Sequence, residues 1–166
     1  MQLRQEEPGD WWEVEALFDL CFAPGREALS SYRLRDGVPP VGALCLVAPN
    51  EDNALGGVGG AIRFWPIRVG GAEALLLGPV AVHPTRQGEG LGALLIQAGL
   101  EKAAALGWTR VLLVGDAPYY GRFGFVRAEG IEMPPPTNPD RVLVQALSAG
   151  AWDDVRGEVT PATPAP

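Results

Sequence analysis

The chain has 166 residues, 47% of them hydrophobic and 20% charged, and a formal net charge of −7. That length and balance fit one globular domain with a real core and exclude a disordered chain. An acidic chain without a basic block is a poor partner for nucleic acid, and its apolar runs, such as Val41–Pro49 and Ala74–Val82, fall well short of the ~20 residues that a membrane helix needs.

The start, residues 2–5, reads as extended, and Asp10 as the N-cap of a first helix. Trp11, Val14, Leu17, Phe18 and Cys21 recur at helical spacing, and Pro24-Gly25 ends the pattern. Arg26 to Asp36 reads as a second, more polar helix, closed by Gly37 and Pro39-Pro40. Ala43–Ala48 is a buried strand, residues 49–53 are a turn, and Leu55–Pro66 is the returning strand. After a tight turn at Val69-Gly70-Gly71-Ala72 comes a fully buried strand, Ala74–Val82. Gly90–Leu106 is the strongest helix, with Leu91, Leu94, Leu95 and Ala98 on one face. Arg110–Val114 is apolar enough to be buried on both faces, Ala117–Tyr120 opens a short helix, and Arg141–Leu147 alternates as a last strand. From Arg156 onward the chain is Pro-rich and is expected to be a disordered tail, leaving a domain of residues 1–155. The order predicts a mixed α/β (α+β) domain with one strand–helix–strand crossover near its middle.

Two cysteines, Cys21 and Cys45, cannot form a disulfide framework, and one histidine, His83, leaves no His-rich metal site. The first residues carry Glu6, Glu7 and Asp10 and no apolar stretch, so no signal peptide and a cytoplasmic setting are expected.

The sharpest feature is the loop Arg86-Gln87-Gly88-Glu89-Gly90-Leu91-Gly92, between a buried strand and a helix. Alternating glycines let backbone turn tightly and approach a ligand. A helix start offers unpaired N–H groups and a positive dipole end. Together they suit a phosphate or pyrophosphate, to which Arg86 can add a charged contact. No Gly-Lys-Ser/Thr follows, which excludes a Walker A loop. Gly88-x-Gly90-x-x-Ala93 also fits a loose dinucleotide fingerprint, with Asp116 as the ribose acid. Against it, His83 to Gln87 separate strand from loop, and too little chain follows for the second half of such a fold.

Gln87-Gly88-Glu89-Gly90-Leu91-Gly92 resembles the Gln/Arg-x-x-Gly-x-Gly/Ala motif of the GNAT superfamily of N-acetyltransferases. The preceding Gly78-Pro79-Val80-Ala81-Val82-His83-Pro84 is similar to that family's splayed fourth strand. Tyr119-Tyr120-Gly121-Arg122-Phe123-Gly124-Phe125 resembles its Tyr-x-x-x-Gly-Phe segment, in the form found in bacterial members of the YhbS type. The resemblance implies the family's fold, a mixed central sheet with a splayed fourth strand flanked by helices. It also implies acetyl transfer from acetyl-CoA to an amine of a small molecule or protein, without metal, nucleic acid or membrane, by a monomer or homodimer.

Carried over by residue, the resemblance implies that Val80, Ala81 and Val82 hold the pantetheine arm by their backbone. Arg86, Gln87, Gly88, Glu89, Gly90, Leu91, Gly92 and Ala93 would cradle the pyrophosphate. Tyr120 takes the role of the acid for the leaving thiolate, because a phenol stays protonated at neutral pH. Where many family members carry Glu or Asp on the fourth strand, this chain has Gly78. That departure leaves a CoA-binding module without catalysis as an alternative, and Glu73 as a candidate base. Arg63 and Trp65 are candidate acceptor contacts on the neighbouring strand; His83 reads as a loop histidine and both cysteines as core.

Overall fold

The computed structural model describes residues 2–22, 30–50 and 57–162. Residues 26–29 of the expected second helix, most of the turn at 49–53, Leu55 and the last four residues lie outside the described residues, and residues 34–36, expected in that helix, form a turn. In chain order the elements are β1 (Arg4–Gln5), α1 (Trp11–Cys21), α2 (Ser30–Arg33), β2 (Leu46–Pro49), β3 (Val58–Val69) and β4 (Ala72–Val82). They continue with α3 (Leu91–Ala105), β5 (Arg110–Val114), α4 (Ala117–Gly121), β6 (Val126–Arg127), β7 (Ile131–Glu132), β8 (Val142–Ala146) and β9 (Gly157–Pro161). The sheet runs β1-β2-β3-β4-β5-β8-β6, with β9 added to β3 and β7 to β9. Pairing is antiparallel except for β4–β5 and β7–β9. This is the expected mixed α/β fold and not a doubly wound parallel sheet, which removes the dinucleotide alternative.

Alternation along the strands assigns the two faces. Ile62 and Phe64 of β3, Leu75 and Leu77 of β4, and Leu113 of β5 pack under Leu91, Leu95, Ile96 and Leu100 of α3. The opposite face carries Ile67, Val69, Ala74, Leu76 and Leu112 around Leu34. Beside them Ala61 and Ala81 lie under Val14, Leu17 and Phe18 of α1. One face is therefore covered by α3 and the other by α1, Leu34 and the segments around Ile131 and Trp152, which is why the central strands read as continuous apolar runs.

One irregularity shapes the cleft. The β3–β4 register runs Ile62↔Val80 and then Phe64↔Leu77, so β4 holds one extra residue at Gly78-Pro79. Before this bulge the odd residues Leu75 and Leu77 face α3; after it Val80 and Val82 do. A bulge bends its strand and increases the local twist. The parallel pairing of β4 with β5 is confined to Leu75↔Val111 and Leu76↔Leu112, although β5 continues to Val114. Beyond Leu76 the two strands diverge, and a wedge opens between them.

Three expectations need correction. Asp10 does not cap α1 with its side chain. Its carboxylate accepts the Glu7 N–H at 2.7 Å and pairs with Arg4 at 2.7 Å, which lowers its pKa. The chain after Arg156 is not a loose tail throughout, since Gly157–Pro161 pairs with Ile67–Val69 and buries Val159. The short strands β6 and β7 were not expected at all; two-residue strands carry no periodicity to read.

Candidate active site

The wedge between β4 and β5 is lined by Leu76, Leu77, Gly78, Pro79, Val80, Leu113, Val114 and Tyr120, and on the far side by Phe22, Tyr32 and Arg35. It encloses about 150 Å³. One flank is the free edge of β4. His83 donates its N–H to the Gly59 carbonyl at 2.8 Å, so residues 83 and 59 form a hydrogen-bonded pair. Such pairs alternate along an antiparallel ladder. Ala81 therefore bonds to β3, while the N–H and C=O groups of Val80 and Val82 point away from β3, towards the gap. An unpaired strand edge of this kind accepts an extended ligand as an added strand. The Val82 carbonyl accepts a weak bond from the Cys21 thiol at 3.3 Å and lies 3.4 Å from Gln87 Nε2.

Above the edge, Pro84–Arg86 form a 3₁₀ turn and the chain enters α3 through Gly90. Gly88 has φ +89° and Gly90 φ +78°, conformations that L side chains avoid. No atom lies within 4 Å of where a Cβ would stand at either glycine, so their outer surface is open to a ligand. The helix ladder begins with Leu94 N–H to Gly90 O at 3.1 Å, which leaves the amides of Leu91, Gly92 and Ala93 without helical acceptors. Glu89 is exposed and pairs with Arg86 at 3.2 Å; Arg86 also donates to Asn50 Oδ1 at 3.0 Å. The guanidinium is thus folded back against Gly59, where a Cβ would meet it at 2.5 Å. This cradle and the β4 edge together fit a pyrophosphate joined to an extended amide-bearing arm.

Tyr120 closes the wedge from the α4 side. Asp116, proposed as a ribose acid on the dinucleotide alternative, caps α4 instead by accepting the Tyr119 N–H at 3.0 Å. The Tyr120 ring lies on Gly115, where a Cβ would be 2.5 Å from the ring, and stands edge-on to Tyr119 (4.9 Å between centroids) and Phe125 (6.0 Å). Burial, with a smaller contribution from Tyr119, pushes its pKa up to about 12. At neutral pH the phenol is protonated.

The remaining candidates separate. Arg63 is not in the wedge. As an odd β3 residue it points to the α1 face, 5% exposed, where it pairs with Glu6 (3.0 Å) and Glu15 (2.7 Å) and lies against the Phe18 ring. Two carboxylates compensate its burial, so it ties β1 and α1 to the sheet. Glu73 sits at the opposite end of β4, exposed and across from Arg68. It stands five positions before Gly78, roughly 16 Å along a strand, too far for a base in the wedge. Trp65 backs the acceptor wall: its Nε1 donates to the Gly78 carbonyl at 2.8 Å, and the Arg35 guanidinium lies 4.7 Å from its ring centroid. His83 Nδ1 accepts the Thr85 N–H at 3.1 Å, a loop-ordering role. Gly78 has φ +134°, a backbone conformation that suits glycine and not the carboxylate residue that the resemblance implies there. Sequence reasoning missed Phe22, Tyr32 and Arg35; the one available signal was the i,i+3 spacing of Tyr32 and Arg35, which places ring and guanidinium on one side of a turn. Among the described residues no group of three or more His, Cys, Asp or Glu could hold a metal ion, and no helix is long and apolar enough to cross a membrane.

A sequence model of the acetyltransferase (GNAT) family matches residues 11–125, from α1 to Phe125, and so spans the whole wedge. The uncharacterized N-acetyltransferase YhbS of Escherichia coli is 34% identical over 128 residues, 75% of this chain and 73% of that protein. The crystal structure of YhbS in complex with CoA superposes with a TM-score of 0.81 at 30% identity, covering 96% of this chain and 88% of the other. A GNAT family acetyltransferase of Brucella melitensis in complex with acetyl-CoA gives a TM-score of 0.70 at 32% identity, covering 96% and 94%.

Proposed function

The chain belongs to the acetyltransferase (GNAT) family, and on that premise we propose that it transfers an acetyl group from acetyl-CoA directly to a primary amine. The observation that carries this reading is the divergence of β4 from β5, which leaves a gap lined by the free edge of β4 and by Tyr120, while the same strand runs on through Val82 to the glycine loop that opens α3. The matching CoA and acetyl-CoA complexes of two relatives support the same ligand.

Acetyl-CoA, when bound, supplies an activated thioester. The amides of the loop and of Leu91, Gly92 and Ala93 face its pyrophosphate, with the positive end of α3 behind them. The edge groups of Val80 and Val82 hold the pantetheine arm as an added strand. An edge N–H at Val80 or Val82 is placed to donate to the oxyanion that builds on the acyl carbon. The acceptor enters from the side of Phe22, Tyr32 and Arg35. Its ammonium loses a proton to solvent, since no carboxylate lines the wedge among the described residues. The new N–C bond gives the tetrahedral oxyanion; the attacking nitrogen then loses its second proton to water, the C–S bond breaks, and Tyr120 gives its proton to the departing sulfur and is reprotonated from the solvent. Free Cys21 and Cys45 suit the reducing, cytoplasmic setting in which such a reaction runs.

The test is release of CoA thiol from acetyl-CoA with a panel of amines. Amine-dependent release is expected. Tight CoA binding with no release above spontaneous hydrolysis for any amine would favour the non-catalytic binding module.

A further inference from the structure

The acceptor side of the wedge has a definite chemistry. Among the described residues that line it, Arg35 is the charged one; the others are apolar or glycine, apart from the phenols of Tyr32 and Tyr120. Arg35 is also held in place. Its Cζ lies 3.2 Å from the Tyr32 ring centroid and 4.7 Å from that of Trp65. Trp65 in turn is bonded to the Gly78 carbonyl, in the bulge where the acyl group would react. Ring contacts engage the faces of a guanidinium. Its five N–H donors point outward in the plane, in a fork that matches a carboxylate and can serve more than one acceptor.

We propose that the acceptor is an amine carrying a carboxylate on a small apolar or aromatic body: an apolar α-amino acid or a close homologue. The proposal rests on the acetyltransferase reading above and narrows it. A zwitterion brings its own anion, which docks on Arg35 and turns the amine towards the bulge. The apolar wall of Phe22, Leu76 and Pro79 takes the side chain. An α-amine also loses its proton to water more readily than a lysine ε-amine, as a wedge without a carboxylate base requires.

The test measures kcat/KM by thiol release at saturating acetyl-CoA for L-leucine and L-phenylalanine, their amides, spermidine and O-phosphoethanolamine. The acids should exceed their amides by about 10–100-fold, the range of hydrogen bonds to charged groups, although the amides' amines are less basic and more deprotonated. In Arg35→Gln the acid-to-amide ratio should collapse towards one, with the melting shift caused by CoA retained as evidence of fold. If that variant does not fold, the wild-type ratio alone decides. Amides equal to acids, a ratio unchanged in Arg35→Gln, spermidine or O-phosphoethanolamine as the best acceptor, or no thiol release with any of them each overturns the proposal. Turnover of spermidine would leave the acetyltransferase reading standing. A wild type that CoA does not stabilise would remove that reading first.

Discussion

The α3 side of the cleft presents backbone, whereas the α1–α2 side presents side chains. In the proposed reading, Val80, Val82 and the run from Gln87 to Ala93 offer backbone N–H and C=O groups to the ligand, while Val80, Val82 and Leu91 turn their side chains to the core. What they demand is conformation: a free strand edge, and positive φ at Gly88 and Gly90. Phe22, Tyr32 and Arg35 line the other side, and in the proposed reading they would act through their side chains. Backbone recognition leaves glycines at fixed spacing in a sequence. Side-chain recognition by residues from separate segments leaves no spacing rule. On the proposed reading, the donor half of the site therefore carries a sequence signature, and the acceptor half carries none.

Tyr120 is the one side chain at which the two halves meet, and its loss should have the largest effect. Tyr120→Phe is expected to lower kcat about 10²–10⁴-fold with little change in acetyl-CoA affinity, because the hydroxyl acts on charge that exists only in the transition state. Steady-state rates beside a binding isotherm check this. Tyr119→Phe, the neighbouring control, should change kcat only a few-fold, on the order of a lost minor contact. The pH profile sharpens the point. Burial holds the Tyr120 proton until about pH 12, so no descending limb near pH 10, the ordinary phenol value, should be traceable to this residue. The same raised pKa means that its neutral form favours the folded state. That contribution is complete below about pH 10 and is lost as pH rises towards 12.

Arg63 lies on the acceptor-side face but outside the wedge, and so separates structural charge from recognition. Removing it leaves Glu6 and Glu15 facing a mostly buried site without their cation. Arg63→Met should destabilise the fold by about 3 kcal/mol, roughly 6–12 °C in Tm, with KM for the acceptor unchanged. Thermal unfolding with kinetics on the surviving enzyme measures both. A normal Tm with a raised acceptor KM would return Arg63 to the acceptor site.

Gly90→Val tests the backbone half directly. The substitution forces a β-branched residue to φ +78° and projects methyls into the open cradle. Loss of two charge-assisted amide contacts corresponds to about 100-fold or more in CoA affinity, readable by calorimetry, while the helix core of Leu91, Leu95 and Ile96 keeps the domain folded. Wild-type affinity in this variant would place the pyrophosphate elsewhere.

The same contrast governs what the sequence revealed of the fold. Val111-Leu112-Leu113-Val114 and the Leu91/Leu95 stripe signalled β5 and α3 because each run is long and uniformly patterned. Gly78-Pro79 lay inside an apolar run and read as ordinary strand. Its bulge shows only in the register against Ile62 and Phe64, which no local pattern encodes. Arg63 and Trp65 are alternate residues of one strand and were expected to share a role. They do share a face, but the partners that decide their roles, Glu6 and Glu15 for one and Gly78 and Arg35 for the other, come from distant segments. Composition marked residues after Arg156 as a tail, whereas the exposed edge of β3 at Ile67–Val69 recruits them as β9.

The most direct test of a backbone-built acetyl-CoA site is the melting temperature of the wild-type chain with increasing acetyl-CoA, and with NAD as the comparison. Only the folded loop and strand edge can present their amides together, so binding must stabilise the native state. At a ligand concentration 100 times the dissociation constant the gain is about 2.7 kcal/mol, a rise of roughly 5–11 °C for a domain of this size, with no response to NAD. An unchanged melting temperature at millimolar acetyl-CoA, or a rise with NAD in its place, would contradict the assignment.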